Sequence, residues 1–273
     1  MDKTTLDRFG ARLLDAHRTR SAITPLTAEA PGMSIDDAYR VQLNQISQWE
    51  SEGRTIAGFK VGLTSKAIQT QFGVDKPDFG HLFSDMILDG SRPIDIGRFI
   101  SPRIEPEISF ALRKDLKGPG LTIVDIVDAV DYAIASVEII DSRIKDWKLT
   151  LPDTIADNAS CGALVLGTTP LRIDAADLSL VGCVLSRNGE VVASGAGAAV
   201  LGHPLQSLLF LANTLGAHGR TLPAGSVVLA GALTAAVPVA PGDRFTATFA
   251  HLGSVTASFT EQPRSAEQTK AGS

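Results

Sequence analysis

Apolar and polar positions in the first fifty residues follow the period of an α-helix. One helical pattern covers residues 5–17, and a second begins at Ser34, where Asp37 occupies the capping-box position. Steps of three and four then predict an apolar stripe on one face of the second helix. That stripe consists of Ile35, Tyr39, Leu43, Ile46 and Trp49. The pattern ends near Gly53, so we expect a small helical part at residues 1–54.

From Thr55 onward the pattern changes to short β-branched runs separated by glycine and proline, which is typical of β-strands. The clearest predicted strands cover residues 56–61, 105–112, 134–140, 163–167, 182–187, 191–195, 227–230, 244–250 and 254–259. Asn188 and Gly189 predict a tight hairpin between two of them. Residues 204–215 predict a buried helix, whereas the pattern of residues 124–134 fits either a helix or a helix-to-strand transition.

These elements predict an α+β protein in which a mostly β catalytic domain, residues 55–261, follows the helical part. The polar residues 262–273 predict a loose tail. With 273 residues and 44% hydrophobic content, the chain can bury one large core. The net charge of -5 argues against binding to nucleic acid or to an anionic membrane surface. No signal-peptide pattern and no membrane-spanning apolar run is present, so we expect a cytoplasmic protein.

Carboxylates alternate with apolar side chains in the predicted strand 105–112. Glu105, Glu107 and Ser109 point to one face of this strand, and the intervening isoleucines and Phe110 point to the other. Side chains two residues apart lie roughly 6 to 7 Å apart, so both carboxylates can reach one cation. A strand that simply turns its charges to solvent explains the same pattern.

Glu138 is a single carboxylate inside an apolar β run. Burial of an unpaired carboxylate is costly, so Glu138 must be protonated, pair with a base or bind metal. Three carboxylates from two strands form an oxygen-rich site suited to Mg²⁺ or Mn²⁺. An ion pair of Glu138 with Arg103 or Arg143 is the structural alternative, and Asp141 is a further candidate partner of Arg143.

Lys60 lies in the tight apolar segment 58–65, which turns at Gly62. Such a lysine either extends along the apolar surface to solvent or is buried for chemistry, where desolvation would lower its pKa. The two cysteines, Cys161 and Cys183, have apolar neighbours and no paired spacing, so we expect two buried free thiols.

Six longer motifs add a family resemblance. They are residues 58–65 (GFKVGLTS), 73–80 (GVDKPDFG), 104–110 (IEPEISF), 137–143 (VEIIDSR), 157–161 (DNASC) and 195–204 (GAGAAVLGHP). With these motifs the chain resembles the 2-hydroxypentadienoate (2-oxopent-4-enoate) hydratases, which belong with the 4-oxalocrotonate decarboxylases in the fumarylacetoacetate hydrolase superfamily. The resemblance extends from the N-terminal helices to about Phe259. It implies a twisted, barrel-like β domain and a homo-oligomer.

The resemblance also implies roles for individual residues. Glu105, Glu107 and Glu138 would be ligands of Mg²⁺ or Mn²⁺, and Lys60, Asp78 and Ser160 would line the substrate site. The loop of Leu63, Thr64 and Ser65 would provide donors near the substrate carboxylate. The implied reaction is addition of water to 2-hydroxypenta-2,4-dienoate, which yields 4-hydroxy-2-oxopentanoate. A downstream aldolase, or a related decarboxylase or hydratase, is the implied protein partner.

Several alternatives stay open at the level of sequence. A 4-oxalocrotonate decarboxylase would need an extra cation for a second substrate carboxylate, and Arg103 and Lys76 are candidates. A noncatalytic partner subunit of such an enzyme, or a structural Ca²⁺-binding module, would account for the carboxylates without turnover. Asp78 after Pro77 fits a turn, and Ser160 fits a helix or turn cap. His81 and His203 have no visible catalytic partner, and we give them no role.

Overall fold

The computed structural model describes residues 1–262, which form seven α-helices and twelve β-strands. Three helices open the chain: α1 (Lys3–Thr19), α2 (Leu26–Glu29) and α3 (Ile35–Ser51). The capping box predicted at the start of α3 is confirmed, because Ser34 and Asp37 each bind the backbone N–H of the other. Of the predicted loose tail, residues 263–273 lie outside the described residues.

The predicted apolar stripe of α3 is wrong in part. Ile35 is 38% exposed, whereas Gln42 and Gln45 are buried on the face that meets the rest of the protein. The Gln42 amide donates to the carbonyl of Ile155 at 2.8 Å, and the Gln45 amide donates to that of Ala156 at 2.7 Å. These two amides satisfy backbone carbonyls that would otherwise be buried without a donor. A hydrophobic pattern does not predict such polar positions on a buried face.

The strands form two sheets. In chain order they are β1 (Ile56–Gly62), β2 (Asp78–Phe83), β3 (Ile87–Leu88), β4 (Arg103–Leu112), β5 (Val130–Ile140), β6 (Cys161–Leu166), β7 (Gly182–Arg187), β8 (Glu190–Ala196), β9 (Val227–Ala232), β10 (Val237–Pro238), β11 (Arg244–Phe249) and β12 (Gly253–Ser258). The large sheet has the order β2-β1-β9-β4-β5-β6-β3, with β10 beside β4, and the small sheet has the order β12-β11-β7-β8. The predicted hairpin is confirmed, since Asn188 and Gly189 join β7 to β8 with positive φ angles.

Four further helices complete the fold: α4 (Lys66–Phe72), α5 (Ile123–Ala129), α6 (Leu151–Ala156) and α7 (Leu205–Ala217). Helix α5 runs directly into β5, which settles the ambiguous segment as a helix-to-strand transition. The predicted buried helix is α7. The sequence pattern predicted neither α4 and α6 nor the strands β2, β3 and β10. The predicted α+β class with a mostly β main part is confirmed.

The main hydrophobic core lies between the two sheets and under α7, while a separate cluster joins α1, α2 and α3 to α6. Strands β1, β9, β4 and β5 are consecutive neighbours in the middle of the large sheet. Their central position brings side chains from distant parts of the sequence onto one buried surface. Within residues 1–262, no helix combines the length and apolar character required to span a membrane.

Candidate metal centre and active site

Three carboxylates meet where β4 and β5 pair. The antiparallel register places Glu105 directly opposite Glu138, with Glu107 two positions further along β4. One oxygen from each of the three lies within 4.8 Å of the others. Glu107 and Glu138 are 1% and 0% exposed, and Glu105 is partly buried. The predicted convergence of these side chains is therefore confirmed, and the alternative of a solvent-facing charged strand is wrong.

Burial and mutual repulsion make this cluster electrostatically unfavourable on its own. Burial and the nearby Glu138 carboxylate raise the pKa of Glu105 to about 7, and the same causes raise the pKa of Glu107 well above its usual value. Burial also raises the pKa of Glu138, although Lys60 opposes it. Neither Glu138 oxygen has a hydrogen-bond partner among the described residues. A divalent cation fits this donor set, since it would neutralise the charge and satisfy the oxygens.

Lys60 provides the nearest positive charge. Its side chain on β1 is buried, and Nζ lies 3.4 Å from Oε1 of Glu138. Extension of the lysine to solvent is thus excluded. Burial disfavours the ammonium form, but the carboxylates of Glu138 and Asp78 outweigh that cost and raise the pKa of Lys60. The sequence-based expectation of a lowered pKa is wrong, because it considered desolvation without the neighbouring carboxylates. In the metal-free protein these carboxylates therefore favour the ammonium form of Lys60.

Asp78 lies beside Lys60 at the start of β2. It pairs across the sheet with Gly62, and a Cβ atom added to Gly62 would lie 2.3 Å from Oδ1 of Asp78 and 3.6 Å from Nζ of Lys60. Asp78 is buried, its Oδ1 has no hydrogen-bond partner among the described residues, and burial raises its pKa against the effect of Lys60. Asp78 is therefore a strand residue next to the lysine, and the alternative of a turn residue is wrong.

The loop after β1 runs along the edge of this cluster. Leu63 adopts a positive φ of 56°, and its carbonyl accepts a hydrogen bond from the Gln69 amide at 2.9 Å. Thr64 is buried, and its carbonyl accepts from the Leu201 N–H at 3.1 Å. Ser65 caps α4 by accepting from a backbone N–H. The loop is thus fixed by bonds at both ends and next to Lys60 in sequence.

Ser160 ends a strained turn that precedes β6. Asn158, Ala159 and Ser160 have φ angles of 51°, 51° and 54°, a left-handed run that costs about 1–2 kcal/mol per residue without glycine. The Asn158 amide group bonds both backbone groups of His81 at 2.8 and 2.9 Å. The Ser160 hydroxyl lies 3.3 Å from that of Thr154, and within residues 1–262 it makes no hydrogen bond to the carboxylates or to Lys60. The Ser160 hydroxyl is therefore buried at the start of β6, where its side-chain partner is Thr154.

Comparisons with known proteins agree with this architecture. The model of the fumarylacetoacetate (FAA) hydrolase C-terminal family matches residues 60–260. The chain belongs to the fumarylacetoacetate hydrolase family. It is 41% identical to a 2-hydroxyhexa-2,4-dienoate hydratase from Comamonas testosteroni, covering 95% of this chain and 99% of that one. A 2-keto-4-pentenoate hydratase from Paraburkholderia xenovorans is 44% identical over 90% of this chain and 92% of its own length.

A solved structure resembles this family member over nearly its whole length. It is a 4-oxalocrotonate decarboxylase from Pseudomonas putida in complex with magnesium and adipate, with a TM-score of 0.92 and 40% identity over 95% of this chain and 98% of that one. The resemblance to the hydratases and decarboxylases of the fumarylacetoacetate hydrolase superfamily is thus confirmed.

Neither Arg103 nor Arg143 pairs with Glu138. Arg143 forms a buried ion pair with Asp157, and Asp141 instead accepts hydrogen bonds from two backbone N–H groups. Arg103 shares the Glu105 face of β4, and its guanidinium carbon lies 4.4 Å from the Trp147 ring centroid. The alternative pairs of Glu138 with Arg103 or Arg143, and of Asp141 with Arg143, are wrong, because Lys60 lies next to Glu138, Asp157 pairs with Arg143, and backbone N–H groups bind Asp141.

Two residues that the sequence did not predict as site residues, Gly231 and Cys161, lie next to the carboxylate cluster. The Gly231 N–H donates to Oε2 of Glu107 at 2.8 Å. Cys161 is buried, and Glu138 contributes with burial to raising the pKa of its thiol. Cys161 and Cys183 are free thiols, as expected. In the sequence, Gly231 is marked only as a glycine in an apolar strand segment. Such a glycine indicates a β-bulge and does not by itself predict a contact with a metal ligand.

The two histidines without an assigned role lie in different surroundings, and neither ring nitrogen of His81 has a hydrogen-bond partner among the described residues. His81 is fully buried among aromatic rings, and burial lowers its pKa to about 3. His203 accepts a hydrogen bond from the Leu205 N–H through Nδ1 at 3.2 Å, which caps the start of α7. Lys76 is exposed and lines a groove beside α7, so Arg103 is the better candidate for the extra cation that a decarboxylase would need.

Proposed function

We propose that this protein is a metal-dependent hydro-lyase that adds water to 2-hydroxypenta-2,4-dienoate to give 4-hydroxy-2-oxopentanoate, in the meta-cleavage catabolism of aromatic compounds. The observation that carries the proposal is the buried meeting of three carboxylates with one lysine, on a chain 41% and 44% identical to two named hydratases. Carboxylate oxygens favour Mg²⁺ or Mn²⁺ over softer metals. We assign Glu105, Glu107 and Glu138 as the ligands.

Glu105, Glu107 and Glu138 would hold the ion, which would act as a Lewis acid and stabilise the negative charge that develops on the 2-oxygen of the substrate. Lys60 then donates the proton from Nζ to carbon 5, and the 2-hydroxyl proton passes to solvent. This step leaves a 3,4 double bond conjugated to the 2-oxo group. The carboxylates of Glu138 and Asp78 favour the ammonium form of Lys60, which is the form that carries the proton for this first step.

Asp78 and Lys60 also act in the addition of water. Once Lys60 has given up its proton it can accept one from the water that attacks carbon 4, and Asp78 orients the lysine or that water. Lys60 then delivers the proton that it took from the water to carbon 3, which completes the product, and a proton from solvent restores its ammonium form. The position of Gly62 supports this division of roles. It separates the Asp78 carboxylate from the Lys60 ammonium, and a side chain at position 62 would collide with Asp78.

The remaining assignments concern substrate binding. Leu63, Thr64 and Ser65 bind the substrate carboxylate, and Ser160 donates to a substrate oxygen. The cap at Ser65 uses its oxygen as an acceptor, so the hydroxyl hydrogen remains a donor. Ser160 would exchange its contact with Thr154 for the substrate.

A 4-oxalocrotonate decarboxylase is the second candidate, and Arg103 favours it. Its guanidinium lies on the Glu105 face of β4 against Trp147, where it could bind a second substrate carboxylate. The decarboxylase of Pseudomonas putida, 40% identical, was solved with the dicarboxylate adipate. We favour hydration because the matched hydratases reach 44% identity.

The deciding experiment offers purified protein 2-hydroxypenta-2,4-dienoate and 2-oxohex-3-enedioate separately, with Mg²⁺, with Mn²⁺ and with a chelator. Ultraviolet absorbance follows loss of the dienol, and product analysis distinguishes 4-hydroxy-2-oxopentanoate from carbon dioxide release. We expect metal-dependent hydration of the monocarboxylate. Decarboxylation of the dicarboxylate alone would replace the proposal by the second candidate, and no reaction with either would favour a partner subunit.

We further propose that the protein is a cytoplasmic homo-oligomer, with an aldolase that consumes the product, or a related decarboxylase or hydratase, as its protein partner. Light scattering coupled to size-exclusion chromatography would test the oligomer, and a single protomer mass would contradict it.

A further inference from the structure

We propose that Gly231 is a positioning residue, which fixes the metal ligand Glu107 and the substrate loop at Thr64 relative to each other. The proposal deepens the function above and rests on it for the metal and substrate roles. Its first support is the register of β9 against β4. Glu107 pairs with Ala232 and Ser109 pairs with Leu229, so two residues of β9 lie opposite one residue of β4. Gly231 therefore lies in a β-bulge, which commonly redirects groups beside active sites.

The bulge aims a backbone N–H at one carboxylate. Gly231 donates to Oε2 of Glu107 at 2.8 Å, and among residues 1–262 no comparable hydrogen bond reaches a carboxylate oxygen of Glu105 or Glu138. Glu107 is thus the member of the three whose orientation is set before any ion arrives. Groups that orient a ligand in this way typically change metal affinity by about 10–100-fold when they are lost.

The opposite side of Gly231 is packed against Thr64. A Cβ atom at position 231 would lie 2.2 Å from Oγ1 and 2.6 Å from Cγ2 of Thr64, far inside contact distance. Gly231 also has a φ of 119°, which side-chain-bearing residues rarely adopt. Thr64 cannot easily retreat, because it is buried and its carbonyl accepts from Leu201. A displacement of Thr64 and a displacement of Glu107 are therefore linked through one glycine.

The test measures Mn²⁺ affinity by electron paramagnetic resonance, independently of turnover, in wild type and Gly231→Ala. We expect the dissociation constant to rise by about 10–100-fold and the KM to rise as Thr64 shifts. Gly225→Ala is the matched control, since Gly225 also has a positive φ, of 81°, but has no atom within 4 Å of an added Cβ. Its affinity for Mn²⁺ and its KM should equal those of wild type. Unchanged Mn²⁺ binding in folded Gly231→Ala would overturn the proposal.

A second pair of variants keeps the test decisive if Gly231→Ala does not fold. Thr64→Ala removes the two closest of the three atoms that would clash and leaves only Cβ, at 2.9 Å, so Gly231→Ala/Thr64→Ala should fold and recover part of the Mn²⁺ affinity. Thr64→Ala alone should weaken Mn²⁺ binding several-fold, about 2–10-fold, although Thr64 is not a ligand. Identical Mn²⁺ affinity in Thr64→Ala and wild type would contradict the linkage. A wild type that binds Mn²⁺ but lacks hydratase activity would refute the function and leave this inference standing.

Discussion

Two buried ion pairs lie within residues 1–262, and they differ in how completely their polar atoms are hydrogen-bonded. In the first, the Arg143 guanidinium bonds the Asp157 carboxylate, the Asp157 carbonyl and the Cys161 carbonyl, and Asp157 also accepts from the Arg143 N–H. In the second, Lys60 and Glu138 make one contact of 3.4 Å, and both Glu138 oxygens lack hydrogen-bond partners among the described residues.

This difference in hydrogen bonding distinguishes a structural ion pair, Arg143 with Asp157, from a candidate active-site pair, Lys60 with Glu138. Arg143 and Asp157 have what a buried pair needs to be stable, and they brace the base of the strained turn at Asn158. Lys60 and Glu138 share their space with Asp78, Glu105 and Glu107, so the negative charges exceed the positive one. Unsatisfied buried charge of this kind is costly to folding and is retained where chemistry requires it.

Removal of Lys60 should give the largest effect. In Lys60→Met with saturating Mg²⁺, we expect turnover to fall by about 10²–10⁴-fold, the usual contribution of a positioned proton donor. Steady-state kinetics with 2-hydroxypenta-2,4-dienoate measures this, and circular dichroism checks the fold. Lys114→Met, which removes an exposed lysine paired with Asp128, is the control and should keep wild-type turnover. Near-full turnover of Lys60→Met would refute the assigned role.

Breaking the structural pair should act on stability instead. We expect Arg143→Met to lower the free energy of unfolding by about 3–5 kcal/mol, because Asp157 is left as an unpaired buried charge. Urea unfolding in saturating Mg²⁺ measures the loss. Arg143→Met/Asp157→Leu removes both charges and should recover part of it. If Arg143→Met unfolds at the wild-type urea concentration, the distinction between the two pairs fails.

Loss of one carboxylate from the cluster should change the free energy of unfolding by a smaller amount and should increase it. In a chelator, Glu105→Gln should raise the free energy of unfolding by an amount on the order of 1 kcal/mol, since it removes repulsion with Glu138 and leaves the pair with Lys60 in place. In Mg²⁺ the same variant should gain less stability than wild type. Paired unfolding curves in chelator and in Mg²⁺ measure both. Glu190→Gln, on an exposed strand, should change neither. Lower stability of metal-free Glu105→Gln would contradict the repulsion.

The last prediction concerns the pH dependence of the stability of the metal-free protein. The pKa of Glu105 is about 7 in the folded protein against 4.5 as the ordinary value, so between these the folded state binds more protons than the unfolded state. Its contribution to stability is complete below 4.5 and is lost as the pH rises to about 7. The half-buried His17 and the fully buried His81, whose pKa values are lowered to about 3, act in the opposite direction. The measured quantity is therefore the difference between wild type and Glu105→Gln in a chelator, and a pH-independent difference would contradict the prediction.

The sequence predicted the parts of the site that depend on local periodicity or on long motifs. Alternation predicted that Glu105 and Glu107 share a face, and the cost of an isolated buried carboxylate singled out Glu138. The motifs then added Lys60 and Asp78, which the structure brings together. Strand boundaries agreed within a few residues for most of the long strands, since their β-branched runs are distinct.

The remainder depends on pairing between distant segments, which a single sequence does not specify. The bulge at Gly231 exists only because β9 pairs with β4, more than a hundred residues away in sequence. Gln42 and Gln45 are buried only because α3 meets two carbonyls near residue 155. The direction of the Lys60 pKa likewise required the positions of three carboxylates, since desolvation alone predicts the reverse.

The cluster draws on β1, β4, β5 and β9, so its oxygens come together only in the folded chain. An unfolded chain therefore offers no equivalent coordination, and ion binding and folding are thermodynamically linked. A cation at a hundred times its dissociation constant would add about 2.7 kcal/mol to the free energy of unfolding. Trace metal carried through purification would consequently raise the apparent melting temperature, and two preparations of the same chain would differ in heat tolerance according to their buffers alone.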